Sequence, residues 1–160
     1  MSNTVMLAKD SISASLAECY IKIADKRYNF MQAINLEASV EKTKTEVPIL
    51  GRVAKGNKTA GLKYSGKATF HYNTSIFRKM MLDYKNTGND IYFEIQIVNE
   101  DPSSQAGRQE IVLKDCNING GILAKFDADS EILDEEMEFT FEDWEMPTEF
   151  NTLDGMVADK

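Results

Sequence analysis

The chain has 160 residues, 42% of them hydrophobic and 28% charged, a composition ordinary for one soluble globular domain that buries roughly 70% of its extended-chain surface. Its net charge of −8 and pI of about 4.7 exclude a protein that coats nucleic acid over its whole surface, because that role calls for a basic footprint. No run approaches the ~18 apolar residues of a membrane span, no secretory leader pattern is visible, and Cys19 and Cys116 lack zinc or redox spacing, which fits two reduced thiols.

Residues 1–15 are polar and weakly patterned and read as an N-terminal arm. From Ala17 the alternation is clean: Ala17, Cys19, Ile21 and Ile23 share one face, and Glu18, Tyr20 and Lys22 the other. That is the pattern of a half-buried strand. A turn at Asp25-Lys26 leads into a long second strand, in which Tyr28, Phe30, Ile34, Leu36, Ala38 and Val40 share one parity. Unbroken, it would reach about 45 Å and suit a barrel wall.

Residues 43–63 show neither helical nor strand period and read as a long loop. Structureless loops longer than ~12–15 residues are uncommon unless they are functional or disordered. The charge here is opposite to that of the chain: Lys42, Lys44, Arg52, Lys55, Lys58, Lys63 and Lys67 surround a single acid, Glu46. In the middle sits an apolar knot, Val47-Pro48-Ile49-Leu50, closed by Gly51. A solvated linker has no need of such a knot, so the stretch reads as a docking arm. The surface that best suits it is another copy of the same chain.

Tyr64, Gly66, Ala68, Phe70 and Tyr72 then alternate with Ser65, Lys67, Thr69 and His71 as a third strand. A helix is predicted over 74–87, capped by Asn73 or Thr74, with Ile76, Phe77, Met80, Met81 and Tyr84 as its apolar stripe and Gly88 as its stop. Ile91, Phe93, Ile95 and Ile97 mark the next strand, and Gln109–Ile118 is strand-like with a muddled parity that predicts a bulge. Asn119-Gly120-Gly121 signals a hairpin returning through Ile122, Ala124 and Phe126. The last strand is read over Glu135–Glu145, with Met137, Phe139 and Phe141 inward and Glu136, Glu138, Thr140 and Glu142 outward. Its alternation slips near Asp143, Pro147 ends it, and 147–160 reads as a C-terminal tail. The whole is one mainly β domain, a sandwich or barrel with one flanking α-helix.

Motifs for chemistry are weak. Gly51–Thr59 resembles a phosphate loop, but Asn57 intervenes between the second Gly and Lys58, and no helix follows. Asp127, Asp129, Glu131 and Glu138 echo a calcium loop, yet Ile132 stands where the turn-making Gly belongs. His71 has no second histidine and reads as a polar-face residue, and Asp134-Glu135-Glu136 has no recognisable partner base. Neither an enzyme nor a cofactor is expected. What remains is a charge asymmetry: from Phe126 onward there are thirteen acids against one base, Lys160. A molecule with a basic loop and an acidic end can associate head to tail.

The stretches KTKTEVPILGRVAKGNK, SGKATFHYNTSIFRKMM and FDADSEILDEEMEFTFEDWEMP, and the closing FNTLDGM, resemble the XkdM-like phage tail tube proteins in matching order from about Ser13 to Met156. The resemblance implies a tail-tube-type β-sandwich that forms hexameric rings, stacked into a hollow tube inside a contractile sheath and driven into a target cell envelope. It places the family's long inter-ring loop on Thr43–Leu62, so Lys44, Glu46, Val47, Pro48, Ile49, Leu50, Gly51, Arg52, Lys55 and Lys58 become candidate assembly residues. Implied partners are further copies of the chain, then sheath, tape measure and baseplate proteins, with DNA passing through unbound. Glu136, Glu138 and Glu142 are candidates for a negative lumen that would repel phosphates. Assembly would take place in the host cytoplasm, and the finished product would be a phage tail or tail-like particle. Two other classes fit the residues: a type VI secretion-like tube, and a soluble calcium- or ligand-binding β-sandwich.

Overall fold

Ile21, at the centre of the first alternating run, is fully buried in strand β1 (Glu18–Ile23), opposite the equally buried Ile95 of β5 (Phe93–Glu100). The computed structural model to which these strands belong describes residues 5–156; the outermost parts of the predicted arm and tail, 1–4 and 157–160, lie outside the described residues. Among the described residues all strand pairings are antiparallel, and one α-helix accompanies them. Among the described residues no helix is long and apolar enough to cross a membrane. The described residues divide into two compact units, one of 5–32, Ile91–Cys116 and 142–156, the other of Ala33–Asp90 and Asn117–Phe141.

In the first unit the strand order is β2 (Lys26–Asn29), β1, β5, β6 (Arg108–Gly120) and β8 (Asp143–Thr148). Ile21, Phe93, Ile95, Val98, Leu113 and Cys116 are its buried apolar residues on these strands, and each fully buried side chain of this size stabilises by about 1.5–3 kcal/mol. The predicted bulge in β6 is present. Phe93 pairs with Cys116 while Ile95 pairs with Leu113, so β6 carries one extra residue there, and Asp115 takes φ 54 to absorb it. The N-terminal segment is tied down by two short 3-10 turns, Ala8–Asp10 and Ala14–Leu16. The Asp10 carboxylate accepts the Gln105 N–H at 3.0 Å, and the Asp101 carboxylate accepts the Ser13 N–H at 3.0 Å.

The second unit is built on a long hairpin, β3 (Ala33–Val47) and β4 (Gly56–His71), extended by β7 (Asp134–Thr140) and the end of β6. Ala68, Phe70, Met137, Phe139 and Phe141 are buried, in keeping with the predicted parity. Gly66 is required by close approach: a Cβ there would come 2.4 Å from the ring of Phe139, its partner in register. Helix α1 (Ile76–Thr87) buries Phe77 and Met80, and the Phe77 ring lies 5.3 Å from that of Phe70. Its N-cap position is Ser75, with Thr74 Oγ1 accepting the Ile76 N–H at 3.4 Å, and Gly88 ends it at φ 75. Arg78 reaches back from this helix to Glu135, only 5% exposed, with Nη1 3.0 and 2.9 Å from the two carboxylate oxygens.

Several expectations are corrected. The second strand is not continuous: β2 ends at Asn29 and β3 begins at Ala33, with Met31 N–H turning back to the Asn29 carbonyl at 2.9 Å. The loop expected over 43–63 is mostly strand, since β3 continues to Val47 and β4 starts at Gly56. Alternation reports one buried face, and this ribbon has none, so its strand period is invisible in the sequence. No strand runs through Ile122, Ala124 and Phe126; Gly121–Leu133 is irregular. Finally, the expected last strand is two, β7 and β8, broken at Phe141-Glu142 just before the slip expected near Asp143, and β8 runs through Pro147 to Thr148, past the expected end.

Candidate assembly surface

β4 pairs with β7 only from Ser65 to His71, whereas it pairs with β3 out to Gly56. Beyond Tyr64 the hairpin is therefore a two-stranded ribbon with both faces in solvent. Such ribbons are marginal in water by themselves. A bulge between Thr43 and Lys44 interrupts its ladder, after which Thr45 pairs with Lys58, Glu46 with Asn57 and Val47 with Gly56.

At the tip, Ile49-Leu50-Gly51-Arg52 forms a β-turn, with the Arg52 N–H donating to the Ile49 carbonyl at 3.2 Å. Gly51 takes φ 86, the left-handed conformation that the third residue of a type II turn requires. Ile49 folds over Gly56, where a Cβ would meet its Cδ1 at 3.1 Å. Leu50 and Val53 are fully exposed, and Val40, Val47 and Leu62 are exposed along the ribbon. The predicted residues Val47, Pro48, Ile49, Leu50, Gly51, Arg52 and Lys55 thus gather at one tip, with Lys44, Glu46 and Lys58 on the adjoining strands. Lys55 Nζ sits 3.8 Å from Glu46 Oε2, an exposed pair of little energetic weight. An apolar tip held in water and flanked by cations has the composition of a docking surface.

The acidic candidates do not form one ladder. Glu136 and Glu138 are exposed on β7, but β7 ends at Thr140, and Glu142 lies in the other unit with its N–H on the Lys114 carbonyl at 3.1 Å. The polar face bearing Glu138 is also not purely acidic. Lys67 stands between Glu138 and Glu37 in register, and Thr69 stands beside Glu136. Lys67 in register between two acids lowers the net negative charge of this face.

Asp127 Oδ1 accepts the Asp129 N–H at 3.1 Å in a local turn, and among the described residues no cluster of three or more His, Cys, Asp or Glu could hold a metal. His71 Nδ1 lies 3.4 Å from Asp134 Oδ1, its partner across β4 and β7. Burial pushes the Cys19 and Cys116 thiols up to about 12, so neither is a nucleophile near neutral pH. Sequence reasoning missed the Arg78–Glu135 pair. Its signal was present, because Glu135 shares the inward parity of Met137, Phe139 and Phe141.

Residues 4–148 match the model of a family described as phage tail tube protein. The chain is 47% identical over 111 residues to the phage-like element PBSX protein XkdM of Bacillus subtilis (strain 168), an alignment covering 69% of this chain and 76% of that protein. Among solved structures it is similar in fold to the SPP1 tail tube, with a TM-score of 0.62 at 10% identity over 88% of this chain and 81% of that one. It is likewise similar to a chain of the sheath-tube complex of the PVC extracellular contractile injection system, with a TM-score of 0.60 at 11% identity over 87% and 93% of the two chains.

Proposed function

The chain belongs to the phage tail tube protein family, and from that premise we propose that it polymerises as hexameric rings stacked into the inner tube of a contractile tail or tail-like particle. The observation that carries this reading is the hairpin ribbon, which projects an apolar, cationic tip beyond the last strand able to cover it. In the tube that tip docks on an adjacent ring. Burial of Ile49, Leu50 and Val53 then supplies about 1.5–3 kcal/mol per side chain, and the cations steer the approach. The role is mechanical. Rings assemble in the host cytoplasm, enclose a tape measure protein, sit inside a contractile sheath on a baseplate, and form the conduit driven into the target envelope. The test is negative-stain microscopy and sedimentation of the purified protein across salt, pH and seeding. Rings or filaments are expected; a chain that stays monomeric throughout overturns the reading.

We assign the face bearing Glu136 and Glu138 to the lumen, where its negative charge keeps DNA sliding. Reversing both residues to Lys is expected to leave tubes intact but to make them retain a labelled single-stranded oligonucleotide at low salt, which wild-type tubes release. Loss of rings in this variant would refute the lumen placement, since residues facing an open channel are not needed for assembly.

A further inference from the structure

Building on the stacking function proposed above, we propose that the surface receiving the hairpin tip is the Gly121–Leu133 loop of the next copy. This loop carries three large apolar side chains in solvent: Leu123 is 73% exposed, Phe126 92% and Ile132 66%. Between them stand the exposed acids Asp127, Asp129 and Glu131. The tip has the complementary composition, with Ile49, Leu50 and Val53 interleaved with Arg52 and Lys55. Apolar surface of this kind on an irregular segment marks an interaction site, and the charges select a cationic partner.

The loop is anchored, so its apolar groups are presented in place. Lys125 donates its N–H to Tyr72 Oη at 3.2 Å and its ammonium to the Asp134 carbonyl at 2.7 Å. The Tyr72 N–H donates to the Leu133 carbonyl at 3.0 Å, and Ser130 Oγ to the Ile132 carbonyl at 2.9 Å. Conformational freedom already lost before docking is not lost again on docking.

Position decides the occupant. β4 leaves the tip at Gly56 and ends at His71, which pairs with Asp134, the residue that follows the loop. Tip and loop therefore lie at opposite ends of the same strand, separated by about 50 Å of extended chain. A copy's tip is turned away from its own loop. Copies aligned head to tail bring each tip to the loop of the next, a heterologous contact that repeats without closing and so builds a stack.

The test uses the full chain with a reversed tip (Arg52→Glu with Lys55→Glu), a reversed loop (Asp127→Lys with Asp129→Lys), and all four changes together. Each reversed chain is expected to lose about tenfold or more of its sedimentable polymer, and the fourfold variant to recover most of it. A second measurement mixes Leu50→Cys and Phe126→Cys chains, both made in a Cys19→Ala background because Cys19 is only part-buried, whereas Cys116 is fully buried. A short bismaleimide should join the two kinds of chain in sedimented tubes and not in monomers. If tip variants lose tubes while loop variants polymerise as wild type, or if cross-links join only like chains, the loop is not the receiver and the tube function stands. If the wild type forms no polymer, the tube function falls and this inference with it.

Discussion

Leu50→Asp is expected to abolish tubes while leaving the folded monomer unchanged, and Arg52→Glu, made separately, to reduce them severely. Leu50 is fully exposed and touches nothing that stabilises its own chain, so its replacement should alter monomer stability by no more than about 0.5 kcal/mol. In a docked tip the same change removes the ~2 kcal/mol gained by burying a leucine and adds the cost of taking a carboxylate out of water. Roughly 3 kcal/mol per contact is more than a hundredfold in the association constant. In the proposed stack each ring would dock through several arms at once, so the loss would multiply along it. Arg52→Glu acts differently, by placing a like charge against an acidic partner, and its effect should weaken as salt is raised. Sedimentation and microscopy measure polymer, and circular dichroism melting measures the monomer. Tubes retained by both variants at wild-type yield would remove the tip from the assembly mechanism.

What the sequence disclosed divides along one physical line. Where a strand has one buried face, its period is legible: Ala68, Phe70, Met137, Phe139 and Phe141 lie inward as their parity indicates. The extra residue in β6 was legible too, because a bulge breaks parity, and Asp115 takes φ 54 where it does so. Helix α1 declared itself through the spacing of Phe77 and Met80 and the stop at Gly88. The outer ribbon was not legible as strand, because Thr43–Val47 and Gly56–Thr59 bury neither face and therefore leave no alternation. Its composition was legible, and the same residues pointed to a docking arm. The loop after Gly120 misled in the opposite direction. Asn119-Gly120-Gly121 has hairpin chemistry, but no strand follows through Ile122, Ala124 and Phe126, and Phe126 is in solvent. An apolar residue left in solvent cannot be told from a core residue by sequence pattern.

Arg78→Ala is expected to destabilise the folded chain by about 3–5 kcal/mol, because it strands a buried carboxylate. Glu135 lies on the inward face of β7 beside Met137, and the guanidinium is the cation within 3.0 Å of both its oxygens. The same group is 4.5 Å from the centroid of the Tyr72 ring and donates to the carbonyls of Thr74 and Ile122. It therefore ties together the start of α1, the end of β4 and the base of the Gly121–Leu133 loop. Against a typical total stability of about 5–15 kcal/mol, the loss should appear as a large drop in the urea midpoint with an unchanged slope. The double variant Arg78→Met with Glu135→Met separates two causes. If the cost of Arg78→Ala is the unpaired charge, removing both partners should restore most of the stability, since buried pairs are often no better than apolar replacements. If the cost is instead the lost ties to Thr74 and Ile122, the double variant stays as unstable as the single one. A single variant within about 1 kcal/mol of wild type would contradict the burial of Glu135 itself.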